Sequence, residues 1–136
     1  FTKWGWRHLI QNRCIDIAQP EVCGLGGITE YLKVVALAQA NFTPVVNHVW
    51  GSALSIAVNL HLLTAMPDMP GGLFPTKPML EFDTTDNNIF ISDLAEEKFD
   101  IFDQVKHNNG FVKALEGHGI GLNPSKDFIK KYEISK

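Results

Sequence analysis

Cysteine is scarce in this 136-residue chain, with Cys14 and Cys23 the two present. Their spacing fits no zinc or dithiol pattern, and two cysteines build no disulfide framework. No apolar run approaches the roughly 20 residues that a membrane-spanning helix needs. The opening residues carry no signal-peptide pattern either. A reducing, cytoplasmic setting without membrane contact is therefore expected. An excess of one charge is also lacking. Twelve Lys and Arg stand against 15 Asp and Glu, a net charge of -3, which gives no electrostatic reason to expect nucleic acid as a partner. There is no solenoid-type repeat and no low-complexity tract. The length suits one core and is short for two domains. A starting methionine is missing too: Phe1 opens directly in a helical pattern, so the chain is expected to be cut from a longer one.

What is present is organised around residues 19–52, which join two short apolar runs by an amphipathic stretch. Ile15 to Gln19 reads as a strand that ends near Glu21. Gly24, Gly26 and Gly27 form a turn, and a helical pattern runs from Gly27 through Ala38 to a break at Asn41. Pro44 to His48 then reads as a buried strand. Such a strand–helix–strand crossover is almost always parallel and right-handed. Neighbouring parallel strands lie roughly 5 Å apart with their carboxyl ends on one edge. Glu21 and His48, both just past those ends, are expected within hydrogen-bond reach as a general-base dyad, because a carboxylate on one ring nitrogen fixes the tautomer of the other. The plainer reading is a strand-end histidine bonded to a carbonyl, beside an exposed glutamate.

The flanks are read in the same way. Residues 1–13 form a helix in which Trp4 and Trp6 are packing or oligomer-contact residues, and Asp16 is structural. The GLGG turn lacks the spacing of a dinucleotide site and the lysine of a P-loop, so it reads as a tight turn that clears space. Lys33 is expected to be solvated. Ser52 caps a helix through about Ala65, in which His61 is a packed residue. Trp50, two residues past His48, is either pocket wall or core. Residues 67–78 make a long Pro- and Gly-rich loop before a third strand, Met79 to Asp83. Glu81 at its end is either a substrate contact or a salt-bridge partner, since a strand carboxylate seldom lacks a partner. Asn109-Gly110 between Phe99–Lys106 and Phe111–Leu115 is a hairpin signal, with His107 exposed in the turn. A short helix starts at Asn123-Pro124-Ser125 and runs to about Lys131.

IDIAQPEVCGLGGITEYLKVVALAQA, then PVVNHVWGSA, then PMLEFD resemble the mandelate racemase/muconate lactonizing enzyme family of the enolase superfamily. Within it, HVWGS and LEFD look most like the acid-sugar cycloisomerases, such as those acting on galactarolactone, and dehydratases. The closing GHGIG is similar to the family's Gly-rich segment, usually written with Pro in place of His118. The resemblance implies an α/β fold, the C-terminal portion (about strands 6 to 8) of a (β/α)-barrel. Residues 1–99 would be the partial barrel, and 100–136 a β-hairpin tail and short helix packing on a capping domain. It implies a small-molecule carboxylate substrate, an acid sugar or lactone, whose α-proton is removed with Mg²⁺ stabilising the enediolate. His48 would be the base, Glu21 its orienting partner and Glu81 a hydrogen-bond donor to the enediolate, with Trp50 in the pocket wall.

Two departures stand out. The family commonly has Asp at the position of Glu21, and no Asp or Glu in this chain matches its three metal ligands. The Mg²⁺ is thus expected in a full-length parent and not on this chain alone. A three-strand piece leaves sheet edges open, which favours self-association. Two readings follow: an inactive C-terminal fragment of an isomerase or lyase, or a non-catalytic half-barrel that oligomerises or binds.

Overall fold

The computed structural model of the protein describes residues 1–66, 77–83, 88–96 and 109–134. Helix α1 (Lys3–Gln11), the one-turn helix α2 (Val22–Leu25) and helix α3 (Ile28–Ala40) precede strand β1 (Val46–Asn47). Helix α4 (Ala53–Ala65), strand β2 (Met79–Leu80) and helices α5 (Ile89–Ser92) and α6 (Lys126–Tyr132) follow. The chain divides into two compact units, Phe1–Val49 with Leu62–Phe82, and Trp50–His61 with Asp83–Lys136.

In the first unit β1 pairs with β2 in parallel, Val46 opposite Met79 and Asn47 opposite Leu80. On its other side β1 is extended by a parallel bridge between Ala18 and Val45. The strand expected over Ile15–Gln19 is reduced to this bridge. Pro20 brings no N–H to the ladder, and its carbonyl alone continues the pairing by accepting from the His48 amide at 3.3 Å. Burial alternates along all three segments. Ala18, Pro20, Val45, Asn47 and Val49 are buried, whereas Ile17, Gln19, Val46, His48, Met79 and Glu81 are half-buried or exposed. That period of two gives the first two segments a packed face and an open face, and in the third it sets half-buried Leu80 between exposed Met79 and Glu81.

Helix α3 supplies the crossover between Ala18 and β1. Its buried residues Tyr31, Val34, Val35 and Ala38 recur at i, i+3, i+4 and i+7, one stripe of an α-helix. Both α1 and α3 end in the same way. The amides of Arg13 and Cys14 donate to Ile10 O and Leu9 O, and those of Phe42 and Thr43 donate to Gln39 O and Ala38 O. This is the Schellman pattern, whose left-handed residue is usually glycine. Here Arg13 (φ 52°) and Phe42 (φ 55°) occupy it, and Phe42 leaves 73% of its surface exposed. Phe42→Gly is therefore expected to raise stability by about 1 kcal/mol, because a side chain in the left-handed region is strained. A rise in the melting midpoint checks this, and a fall contradicts it.

Lys3 of α1 and Lys33 both bond the Glu30 carboxylate, at 2.8 and 3.1 Å. The Lys3 bond first, and then that of Lys33, hold the Glu30 carboxyl below the usual carboxylate range. Lys33, expected to be solvated, is thus half-exposed and paired. Trp4 is exposed, with the Lys3 and Arg7 cations 4.8 and 5.6 Å from its ring centre.

In the second unit Ser52 starts α4 as expected, its Oγ accepting from the Ser55 amide at 3.4 Å. The helix then buries Ala53, Ile56, Ala57 and Leu60. His61 is a packed helix residue, its Nε2 donating to the Ile120 carbonyl at 3.0 Å. Ile120 lies within the closing Gly-rich segment, where Gly117, Gly119 and Gly121 all take positive φ. Ser125 caps α6 through Phe128 N, and Asn88 caps α5 through Phe90 N. Asn109 and Gly110 both have positive φ, whereas Phe111 to Leu115, the expected second arm of the hairpin, forms no strand among the described residues. The first arm of the expected hairpin and His107 fall within 97–108, outside the described residues. So do positions 67–76 of the long loop and 84–87 of the polar loop.

Candidate active site

Three chemically capable side chains lie at the carboxyl ends of the three parallel segments of the first unit. Glu21 follows Pro20, His48 follows Asn47, and Glu81 follows Leu80. By the alternation of burial all three stand on the open face, opposite the packed face of Ala18, Val45 and Asn47. Sequence placed these residues on one edge, and the fold does so as well.

The pairing within that edge is a separate matter. His48 Nε2 lies 3.7 Å from Glu81 Oε2, with both side chains 44% exposed. The same oxygen accepts from the Val49 amide at 3.4 Å, so backbone next to the histidine helps to hold the carboxylate there. Glu81 N also donates to Asn47 O at 3.1 Å. One backbone segment, residues 47–49, thus engages Glu81 at its amide and at its carboxylate.

Glu21 is turned another way. It is the N-cap of α2, and its carboxylate accepts from the Cys23 amide at 2.9 Å and from the Gly24 amide. Two orphan donors at the helix start are satisfied by a negative charge, the favourable arrangement at the positive end of a helix. A methyl group at Gly24 would stand 2.9 Å from Glu21 Oε2, so glycine leaves room for the cap. This local use was missed in sequence, where Gly24 was read only as part of a turn. Glu21→Ala is expected to destabilise the protein by about 1 kcal/mol, the usual cost of a lost N-cap. Thermal unfolding checks this, and an unchanged midpoint would mean that the cap contributes nothing.

Trp50 belongs to the other compact unit, with 75% of its surface exposed. Among the described residues no group of three or more His, Cys, Asp or Glu side chains converges as a metal ion requires. The carboxylates of the edge are occupied by a histidine and by a helix N-terminus, so they do not form the donor set of a magnesium site.

Parallel strand segments joined by helices, with polar groups gathered at their carboxyl ends, define an α/β protein of the kind that places its chemistry on that edge. The family described as enolase C-terminal domain-like matches residues 1–128, and the chain belongs to it. The D-galactarolactone cycloisomerase of Agrobacterium fabrum is 30% identical over 132 residues, which is 97% of this chain and 33% of that protein. The arabinonate dehydratase of Saccharolobus solfataricus is 23% identical over 133 residues, covering 98% of this chain and 31% of the relative. The crystal structure of the 3,6-anhydro-D-galactonate cycloisomerase from Zobellia galactanivorans superposes with a TM-score of 0.73 at 26% identity, over 97% of this chain and 33% of that one. The chain therefore spans about a third of the length of the curated relatives it matches.

Proposed function

We propose that these residues are the C-terminal part of an enolase-superfamily isomerase or lyase that removes the proton α to the carboxylate of an acid sugar or its lactone. The observation that carries this reading is the pairing of His48 with Glu81 on the open face of the parallel edge. It occurs in a chain 30% identical to a cycloisomerase of a sugar-acid lactone. The segments take the place of strands 6 to 8 of a barrel. Exposed Ile17 and Met79 on the open face are residues that a closed barrel interior would bury.

In this reading His48 takes the α-proton on its imidazole. Negative charge then moves to the substrate carboxylate oxygens, and Glu81, protonated, donates a hydrogen bond to one of them. A donor aimed where charge develops stabilises the transition state more than the ground state. Glu21 is the carboxylate one segment over from His48, and it reaches the ring only by giving up the cap of α2. The Mg²⁺ of the reading belongs with carboxylates other than those described here, and no step assigned to His48 or Glu81 passes through it.

The test is a panel of aldonates and aldarolactones incubated with the full-length protein that carries this sequence. Loss of water or isomerisation without mass change is expected for at least one of them. Inertness toward the whole panel, with the protein folded and Mg²⁺ present, would refute the reading.

A further inference from the structure

Beneath the edge, two buried polar side chains meet among apolar neighbours. Tyr31 of α3 and Asn47 of β1 are both fully buried, and the tyrosine hydroxyl donates to Asn47 Oδ1. Met66 Sδ lies 3.2 Å from the same hydroxyl, but a thioether is a weak acceptor and is no substitute for an amide oxygen. Burying polar groups among valines and alanines is unfavourable for stability by itself, and such pairs are best attested where they select one register.

Register is what this edge needs. The ladder of β1 with β2 involves Val46 and Asn47, and its bonds are backbone bonds that any residue can make. Valines at 45, 46 and 49 distinguish neighbouring registers weakly, since each fits the packed face. A slip of one residue would nonetheless turn every side chain to the opposite face. His48 would then enter the packed face and Asn47 would leave it. The Tyr31–Asn47 bond forms only when Asn47 points at α3, which obliges His48 to point at the open face. The same residue fixes the other half of the site, because the Asn47 carbonyl accepts from the Glu81 amide at 3.1 Å.

We infer that Tyr31 is a positioning residue: through its buried hydrogen bond to Asn47 it holds β1 in the register that sets His48 beside Glu81. It touches no reacting atom. The inference deepens the catalytic reading of His48 and rests on it for its consequence in turnover, but its geometric content is independent of substrate.

The experiment uses the full-length protein labelled with ring-¹³C histidine, the His48 signal being assigned by its loss in His48→Asn. In Tyr31→Phe, which keeps the ring and removes the hydroxyl, the His48 signal is expected to move in the direction in which Glu81→Gln moves it. Val35→Ala, a buried change on the same helix, removes apolar packing while leaving both partners of the Tyr31–Asn47 bond in place, and should leave that signal in place. With an acid-sugar substrate, Tyr31→Phe should lower kcat by about tenfold or more while KM stays within about twofold, as displacement of a catalytic group does. If the His48 signal stays put in Tyr31→Phe although the melting midpoint falls as in Val35→Ala, Tyr31 is a packing residue and the inference is overturned. Should Tyr31→Phe not fold, Asn47→Ser reads the same bond from its other end, and an unmoved His48 signal there overturns it equally. The spectrum is taken without substrate, so absence of turnover would sink the catalytic reading while leaving this result to be judged alone.

Discussion

Replacing His48 with asparagine lowers turnover of the acid-sugar substrate by about 10²- to 10⁴-fold, the usual contribution of a positioned general base. Asparagine matches imidazole roughly in size and keeps a polar group on the open face, so the fold is retained while the base is lost. Steady-state kinetics of the full-length protein measure the effect, which falls on kcat and not on KM. Glu81→Gln is expected to act in the same direction by a smaller factor. The amide still donates a hydrogen bond to the substrate oxygen, but it is a weaker donor and carries no charge beside His48. If His48→Asn retains near-normal turnover, the base lies elsewhere and the pair at 3.7 Å is a surface salt bridge, a kind of contact that contributes little.

The second large effect is on stability. Tyr31→Ala is expected to cost about 3–5 kcal/mol, the range for truncating a buried aromatic side chain. Tyr31 is fully buried and ties α3 to β1. Denaturant unfolding measures it, and a loss below about 1 kcal/mol would mean that the surroundings collapse into the space. The same residue gives an alkaline signature. Burial pushes the Tyr31 hydroxyl up to about 12. A tyrosine raised from its ordinary value of about 10 favours the folded state fully below pH 10. That contribution is lost as pH rises from about 10 through 12, and a shift of this size is worth about 3 kcal/mol. Tyr31→Phe should flatten this part of the stability–pH curve, and an unchanged alkaline slope would contradict the assignment.

Much of this architecture is legible because short-range chemistry determines it. Ser52 caps the helix it was expected to cap, since a side-chain oxygen before an apolar run has one local use. The stripe of Tyr31, Val34, Val35 and Ala38 marks a helix by its spacing. The crossover rule then places Glu21, His48 and Glu81 at one edge, because parallel strands leave no other arrangement of their carboxyl ends.

What sequence did not reveal is which partner each carboxylate takes. Glu21 was expected to reach His48, yet amides two and three residues away are nearer and satisfy it first. Rotamer choice of this kind depends on a one-turn helix in which Gly24 leaves room for the Glu21 carboxylate, a residue read in sequence as part of a turn. Glu81 was recognised as a carboxylate in need of a partner, but its attachment to His48 and Val49 depends on the register of β2. That register is set by contacts far apart in the chain. Asn47 carried a signal that went unused: an amide in the middle of PVVNHV must find a partner on the packed face. The residue that meets it, Tyr31, lies 16 positions away on α3.

The most direct test of the account is deuterium incorporation at the α-carbon of an acid-sugar substrate in D₂O, followed by NMR with wild-type and His48→Asn full-length protein. The account predicts incorporation by the wild type on the face presented to His48 and none there by the variant. Exchange on that face undiminished in His48→Asn would contradict it and remove His48 from the chemistry.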